Sequence, residues 1–97
     1  MTDKKTKAKE NLSKPVEFTV YAPFASSVSL VGSFNQWDST KHPMNKDIKG
    51  RWRIMVTLSQ GTYEYRYIVD GDWENDTENP ATIENEFGSY NNLKVVD

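Results

Sequence analysis

Cysteine is absent from this chain of 97 residues, which excludes a disulfide framework and any thiolate metal site. There is a single histidine, His42. Ser/His/Asp catalysis would have to run through it, yet it stands beside Pro43 in a polar stretch with no nucleophile motif. A surface position is expected for it. No run approaches about 18 apolar residues, so no helical membrane span is read. The N-terminus is charged but lacks an apolar core, so no signal peptide is read and the expected compartment is the cytoplasm. The sequons at Asn11 and Asn75 then carry no weight. No segment has a convincing helical period, and no internal repeat of about 20–50 residues is present. Basic residues are missing from Asp70 to Glu86, a stretch with seven carboxylates. Such a face repels phosphate backbones, so nucleic acid is not an expected partner.

What is present is a short chain rich in aromatics: three Trp, five Tyr and four Phe. The length allows one domain, and without staples it must rest on one well-packed core, to which large rings contribute most. Residues 1–14 are polar and aperiodic, with Lys4, Lys5, Lys7, Lys9 and Lys14 against Asp3 and Glu10. A disordered basic tail is expected there, and a single domain over 15–97.

From Val16 onward the period is that of half-buried strands. Val16, Phe18 and Val20 alternate with polar neighbours, and so do Val28 and Leu30. Trp52, Ile54, Val56 and Leu58 form a third such series, and Tyr63, Tyr65, Tyr67 and Val69 a fourth. Ser59-Gln60-Gly61 is a turn, and Asp70-Gly71 is a two-residue hairpin signal that folds the chain back through Trp73. Residues 75–90 read as a polar loop, and Leu93 and Val95 as a last strand. Short strands at this spacing predict an all-β sandwich.

The three tryptophans separate by pattern. Trp52 shares parity with Ile54 and Val56 and belongs to the core. Trp37, in Gly32-Ser-Phe-Asn-Gln-Trp-Asp38, and Trp73, after the hairpin turn, stand among polar residues. Each is either a lid over the sandwich end or part of a binding surface. Parity along the fourth strand turns Arg66 outward, toward the face that Trp73 reaches. It is then either a solvated charge paired with a nearby carboxylate such as Glu64, or a donor beside two indoles. The second arrangement suits a polyhydroxyl ligand: indoles stack on the C–H face of a sugar ring, and the guanidinium donates to its rim hydroxyls.

The runs Val31-Gly-Ser-Phe-Asn-Gln-Trp37, Gly61-Thr-Tyr-Glu-Tyr-Arg-Tyr-Ile-Val-Asp-Gly-Asp-Trp73 and Phe87-Gly-Ser-Tyr-Asn-Asn92 occur in this order. Together they resemble the starch- and glycogen-binding modules that precede isoamylase and branching-enzyme catalytic domains. The chain looks most like the glycogen-binding domain of the AMP-activated protein kinase β subunit. The resemblance implies an immunoglobulin-like (early-set) β-sandwich that binds α-1,4-linked glucans. It implies sugar-stacking roles for Trp37 and Trp73 and a basic contact from Arg66, where the kinase subunit usually has Lys. Phe87 then replaces a loop residue that is often Leu, and Ser89 with Asn91 or Asn92 supplies polar contacts. Tyr90 either packs inward or adds a further platform.

A glycosidase needs two carboxylates across a scissile bond in a cleft, and the carboxylates here fall in turns and loops. Asp70, Asp72, Glu74 and Asp76 faintly match a calcium loop, but Asn75 stands where its glycine belongs, and a hairpin explains them better. The expectation is therefore a non-catalytic module that uses no metal or cofactor. Its expected ligand is glycogen, starch or a maltooligosaccharide, with a glucan-metabolising enzyme as a possible partner. The alternative is a protein-interaction module of the same fold whose sugar site is vestigial. A shallow sugar site of this kind implies a Kd from about 10 μM to about 1 mM.

Overall fold

The computed structural model describes residues 13–97, and every regular element in it is a strand. In chain order they are β1 (Lys14–Tyr21), β2 (Val28–Gly32), β3 (Asn45–Lys46), β4 (Arg51–Leu58), β5 (Gly61–Val69), β6 (Asp72–Glu74), β7 (Thr82–Glu84) and β8 (Tyr90–Val96). One sheet has the order β1-β4-β3. The other has β2-β5-β8-β7, with β6 added to the end of β5. All pairs are antiparallel, and the two sheets close face to face as the expected all-β sandwich. The disordered tail expected over residues 1–14 lies outside the described residues, except for Ser13 and Lys14, and Lys14 already pairs with Leu58.

Alternation explains the core. Phe18 of β1, Trp52, Val56 and Leu58 of β4, Val28 and Leu30 of β2, and Tyr65 and Tyr67 of β5 all turn inward and are buried. Phe18 meets Tyr65 edge-on at 5.0 Å between centroids, and Tyr65 meets Tyr67 in the same way at 5.8 Å. Such pairs add to the area term of burial. The inward polar tips all find partners. The Trp52 Nε1 donates to the Ala22 carbonyl, the Tyr67 hydroxyl to the Thr19 carbonyl, and the Tyr65 hydroxyl to Asp76 Oδ2. Burial raises the ionisation of both phenols above the ordinary tyrosine value.

Three features depart from the sequence pattern. The loop expected over 75–90 contains β7, three exposed residues paired to β8, too short to show an alternating pattern. Asn45 and Lys46 form β3, too short to leave a period. In β8 the inward parity belongs to Asn92 and Val96, while Val95 is exposed and Leu93 only half-buried. The buried polar residue of that strand replaces the apolar one that a reader expects. Asn92 accepts from the Asp76 amide and the Asn75 Nδ2, and donates to the carbonyls of Asp76 and Asn79. It ties the 75–79 segment to the sheet with a full set of hydrogen bonds, so its burial carries no desolvation debt.

Candidate functional site

The outer face of the second sheet is concave, and its shape begins at Gly32. A Cβ there would stand 2.6 Å from the Glu64 carbonyl oxygen, so only glycine lets β2 end this close to β5. The Gly32 carbonyl then accepts from the amides of Asn35 and Trp37. The buried Asn35 side chain closes the loop from within. Its Oδ1 accepts from the Gly32 amide, and its Nδ2 donates to the Leu30 carbonyl and contacts His42 Nδ1 at 2.8 Å. His42 is therefore a half-buried support for this loop, packed edge-on against Phe34, rather than the surface residue expected. The winding leaves Gln36 and Trp37 at φ 58° and 56°, a left-handed conformation that bulky side chains seldom adopt. Asp38 anchors the loop's far side. Hydrogen bonds from the Thr40 hydroxyl and amide hold its carboxyl below the usual range.

Trp73 arrives by another route. Asp70 and Gly71, at φ 50° and 88°, make the two-residue turn, and Val69 pairs with Asp72 across it. Asp70 Oδ1 also accepts from the amides of Ser26 and Ser27, which fixes the turn to the β1–β2 connection. Trp73 then sits opposite Ile68, and Arg66 lies two residues along the same face, as parity predicts. The Trp37 and Trp73 rings stand 6.4 Å apart at an interplanar angle of 42°. The Arg66 guanidinium lies over the Trp73 ring at 5.4 Å from its centroid, within cation–π range. Its Nη2 donates to Asn75 Oδ1. Among the described residues Arg66 forms no ion pair, so the solvated-pair reading of this residue does not hold.

A third segment completes the concavity. Asn85 Oδ1 accepts from the amides of Phe87 and Ser89, and the Asn85 amide donates to the Ser89 carbonyl. This tight loop lifts Phe87 to its apex, where it is 85 % exposed. Asn91 and Asn92, the two alternatives for the polar contact, are both buried but differ in direction. Asn92 points into the sandwich, whereas Asn91 lines the cavity. Asn91 Nδ2 donates to Glu64 Oε1, and its Oδ1 accepts from Asn85 Nδ2. Tyr90 follows Asn92 in parity and is exposed, so it neither packs inward nor joins the cavity.

The resulting cavity has a volume of about 750 Å³. Trp37, Arg66, Trp73, Phe87, Ser89 and Asn91, the six residues singled out from sequence, all line it. Glu64, Glu84, Asn85 and Glu86 line it too and were missed. Glu64 was within reach, since it shares the strand parity of Arg66. The other three belong to the segment read as a polar loop. Carboxylates therefore do reach the concave face, contrary to the expectation that all sit apart in turns and loops. The arrangement offers two tilted apolar ring faces, one guanidinium with free donors, a projecting phenyl ring and several hydroxyl-sized polar contacts.

A family model described as the glycogen recognition site of AMP-activated protein kinase matches residues 15–97. Similar curated proteins include the 1,4-alpha-glucan branching enzyme GlgB of Vibrio parahaemolyticus, 45% identical over 62 residues, which are 64% of this chain and 8% of the enzyme. GlgB of Prochlorococcus marinus is 43% identical over 58 residues, which are 58% of this chain and again 8% of the enzyme. The chloroplastic protein FLOURY ENDOSPERM 6 of Oryza sativa is 38% identical over 79 residues, 81% of this chain and 14% of that protein. The chain thus spans a small part of each of these relatives.

Proposed function

Because the chain belongs to the family of the glycogen recognition site of AMP-activated protein kinase, we propose that it binds α-1,4-linked glucans without acting on them. The observation that carries this reading is the Trp37–Trp73 pair, tilted by 42° in one cavity with Arg66 beside it. An α-1,4-glucan curves from one glucose to the next, and two inclined indoles follow that curve. A β-1,4 chain runs flat and engages only one of them well. Each indole takes the C–H face of one glucose. Arg66, Ser89 and the remaining Asn91 N–H meet the hydroxyls, and Phe87 closes on the chain from above. The role is that of a targeting module. The branching enzymes among its relatives act on glucans, and they are far longer than this chain. A glucan-metabolising enzyme is accordingly the partner we propose.

Tryptophan fluorescence titrated with maltoheptaose, with cellohexaose as control, tests the reading. A saturable change with the α-glucan alone is expected, with a Kd from about 10 μM to about 1 mM. Trp73→Ala should raise that Kd at least tenfold, the stacking of a flat ring on an exposed indole being worth about 1–3 kcal/mol by analogy with bases. Trp73 is 49 % exposed, so the variant should fold normally. No response to about 10 mM sugar would leave less than about 2.7 kcal/mol of binding and end the proposal.

A further inference from the structure

We infer that Glu64 is a ligand-contacting residue: a carboxylate held ready to accept hydroxyl donors, which makes the cavity selective for uncharged polyols over phosphate-bearing ones. The inference rests on the glucan reading above and adds to it a contact of opposite polarity to Arg66.

The argument starts from hydrogen-bond direction. Asn85 is oriented by the Phe87 and Ser89 amides that its Oδ1 accepts, so its Nδ2 must be the group facing Asn91. Asn91 therefore presents Oδ1 to Asn85 and Nδ2 to Glu64. Neither amide can flip without setting like groups against each other. The chain of contacts fixes one Glu64 oxygen, Oε1, at 2.9 Å from Asn91 Nδ2. The other oxygen, Oε2, accepts nothing among the described residues. No cation closes on Glu64 either, since the ion pairs of the described residues use Arg51 and Arg53.

The nearest cation in sequence makes this pointed. Arg66 lies two residues along the same face of β5, about 6.6 Å of strand rise away. It is turned instead toward Asn75 and the Trp73 ring. A guanidinium and a carboxylate thus face one cavity without neutralising each other. A ligand between them meets donors on one side and an acceptor on the other. A sugar hydroxyl satisfies both, because it accepts through its oxygen and donates through its hydrogen. A phosphate monoester satisfies only Arg66. It has little to donate to Glu64, and it meets the further negative charge of Glu84 and Glu86 on the cavity wall.

Glu64→Gln separates contact from support. Glutamine keeps an oxygen for Asn91 but replaces the free acceptor with an NH2 donor. Calorimetric titration with maltoheptaose and with singly phosphorylated maltoheptaose is the measurement, on wild type, Glu64→Gln and Glu64→Ala. The expected result is about a tenfold loss of maltoheptaose affinity in Glu64→Gln, matching the loss of one charge-assisted hydrogen bond. The wild-type preference for the unphosphorylated sugar should shrink in the same variant. If Glu64→Gln binds like wild type while Glu64→Ala is weak, Glu64 only supports Asn91 and the inference falls. An unchanged preference for the unphosphorylated sugar also overturns it. If wild type binds neither sugar, the glucan reading itself fails, a distinct outcome visible before any variant is made.

Discussion

Trp37 and Trp73 reach one cavity under different backbone conditions, and this difference is measurable. Trp73 sits in relaxed strand geometry, whereas Trp37 is held at φ 56°. A left-handed conformation costs a non-glycine residue about 1–2 kcal/mol. Replacing Trp37 by Ala removes the ring but keeps that cost, whereas Gly removes both. Trp37→Gly should therefore be more stable than Trp37→Ala by about 1 kcal/mol, while both lose sugar binding to a similar degree. Urea unfolding of the two variants checks this, and equal midpoints would mean that the loop relaxes around alanine. Residue by residue, the site was readable where a side chain lacked any structural use. A tryptophan among Gly, Asn and Gln has no alternating partners, and Arg66 has parity with Trp73. Asn85 was not readable, because its task is to hold backbone amides that no residue pattern announces.

At the scale of elements, turns decide which side chains meet. The β5–β6 hairpin delivers Trp73, and Asp70-Gly71 shapes it. Gly71 has φ 88° and nothing within 4 Å of where a Cβ would be. Alanine there meets only a conformational penalty, so Gly71→Ala should cost about 1 kcal/mol, and Gly71→Asn clearly less. Thermal melts of the two variants read the difference directly. A loss well above this in Gly71→Ala would point to a steric clash, against the open space around the residue. This hairpin was legible because two residues of known backbone preference stood between alternating runs. The strands β3 and β7 were not, being two and three exposed residues long. Their pairing is dictated by neighbours already in place. The inward face of β8 was hidden for the opposite reason: Asn92 is buried to satisfy a loop, and polarity in sequence suggests exposure.

For the whole molecule, the two fully buried phenols tie stability to alkaline pH. Burial raises the ionisation of Tyr65 and Tyr67, with the Asp76 charge adding to it for both. The folded state thus keeps these protons at a pH where unfolded tyrosine, which ionises near pH 10, has lost them. The stabilisation is complete below about pH 10 and declines above it, by up to about 1.4 kcal/mol per pH unit for each tyrosine. Denaturation midpoints should hold steady to about pH 10 and then fall. The tyrosinate absorbance of these two phenols, the part lost in Tyr65→Phe and Tyr67→Phe, should rise with unfolding rather than before it. Stability unchanged well beyond that pH would mean that neither phenol is as enclosed as the packing indicates. The sandwich class itself was legible throughout, because a chain of this length with four clean alternating runs has few other ways to bury the inward rings of Phe18, Trp52, Tyr65 and Tyr67.

The closeness of the two cavity indoles also has an optical consequence. Transition dipoles of like chromophores at 6.4 Å and inclined by 42° mix, and the mixed states absorb left- and right-circularly polarised light unequally. Trp37 and Trp73 should therefore give the folded chain a paired positive and negative band in its ultraviolet circular dichroism, superimposed on the weak signal of a β-protein. Substituting either ring abolishes the pair, whereas Trp52→Phe leaves it. Any ligand that shifts one ring against the other rescales it, so the chain carries its own unlabelled reporter of occupancy.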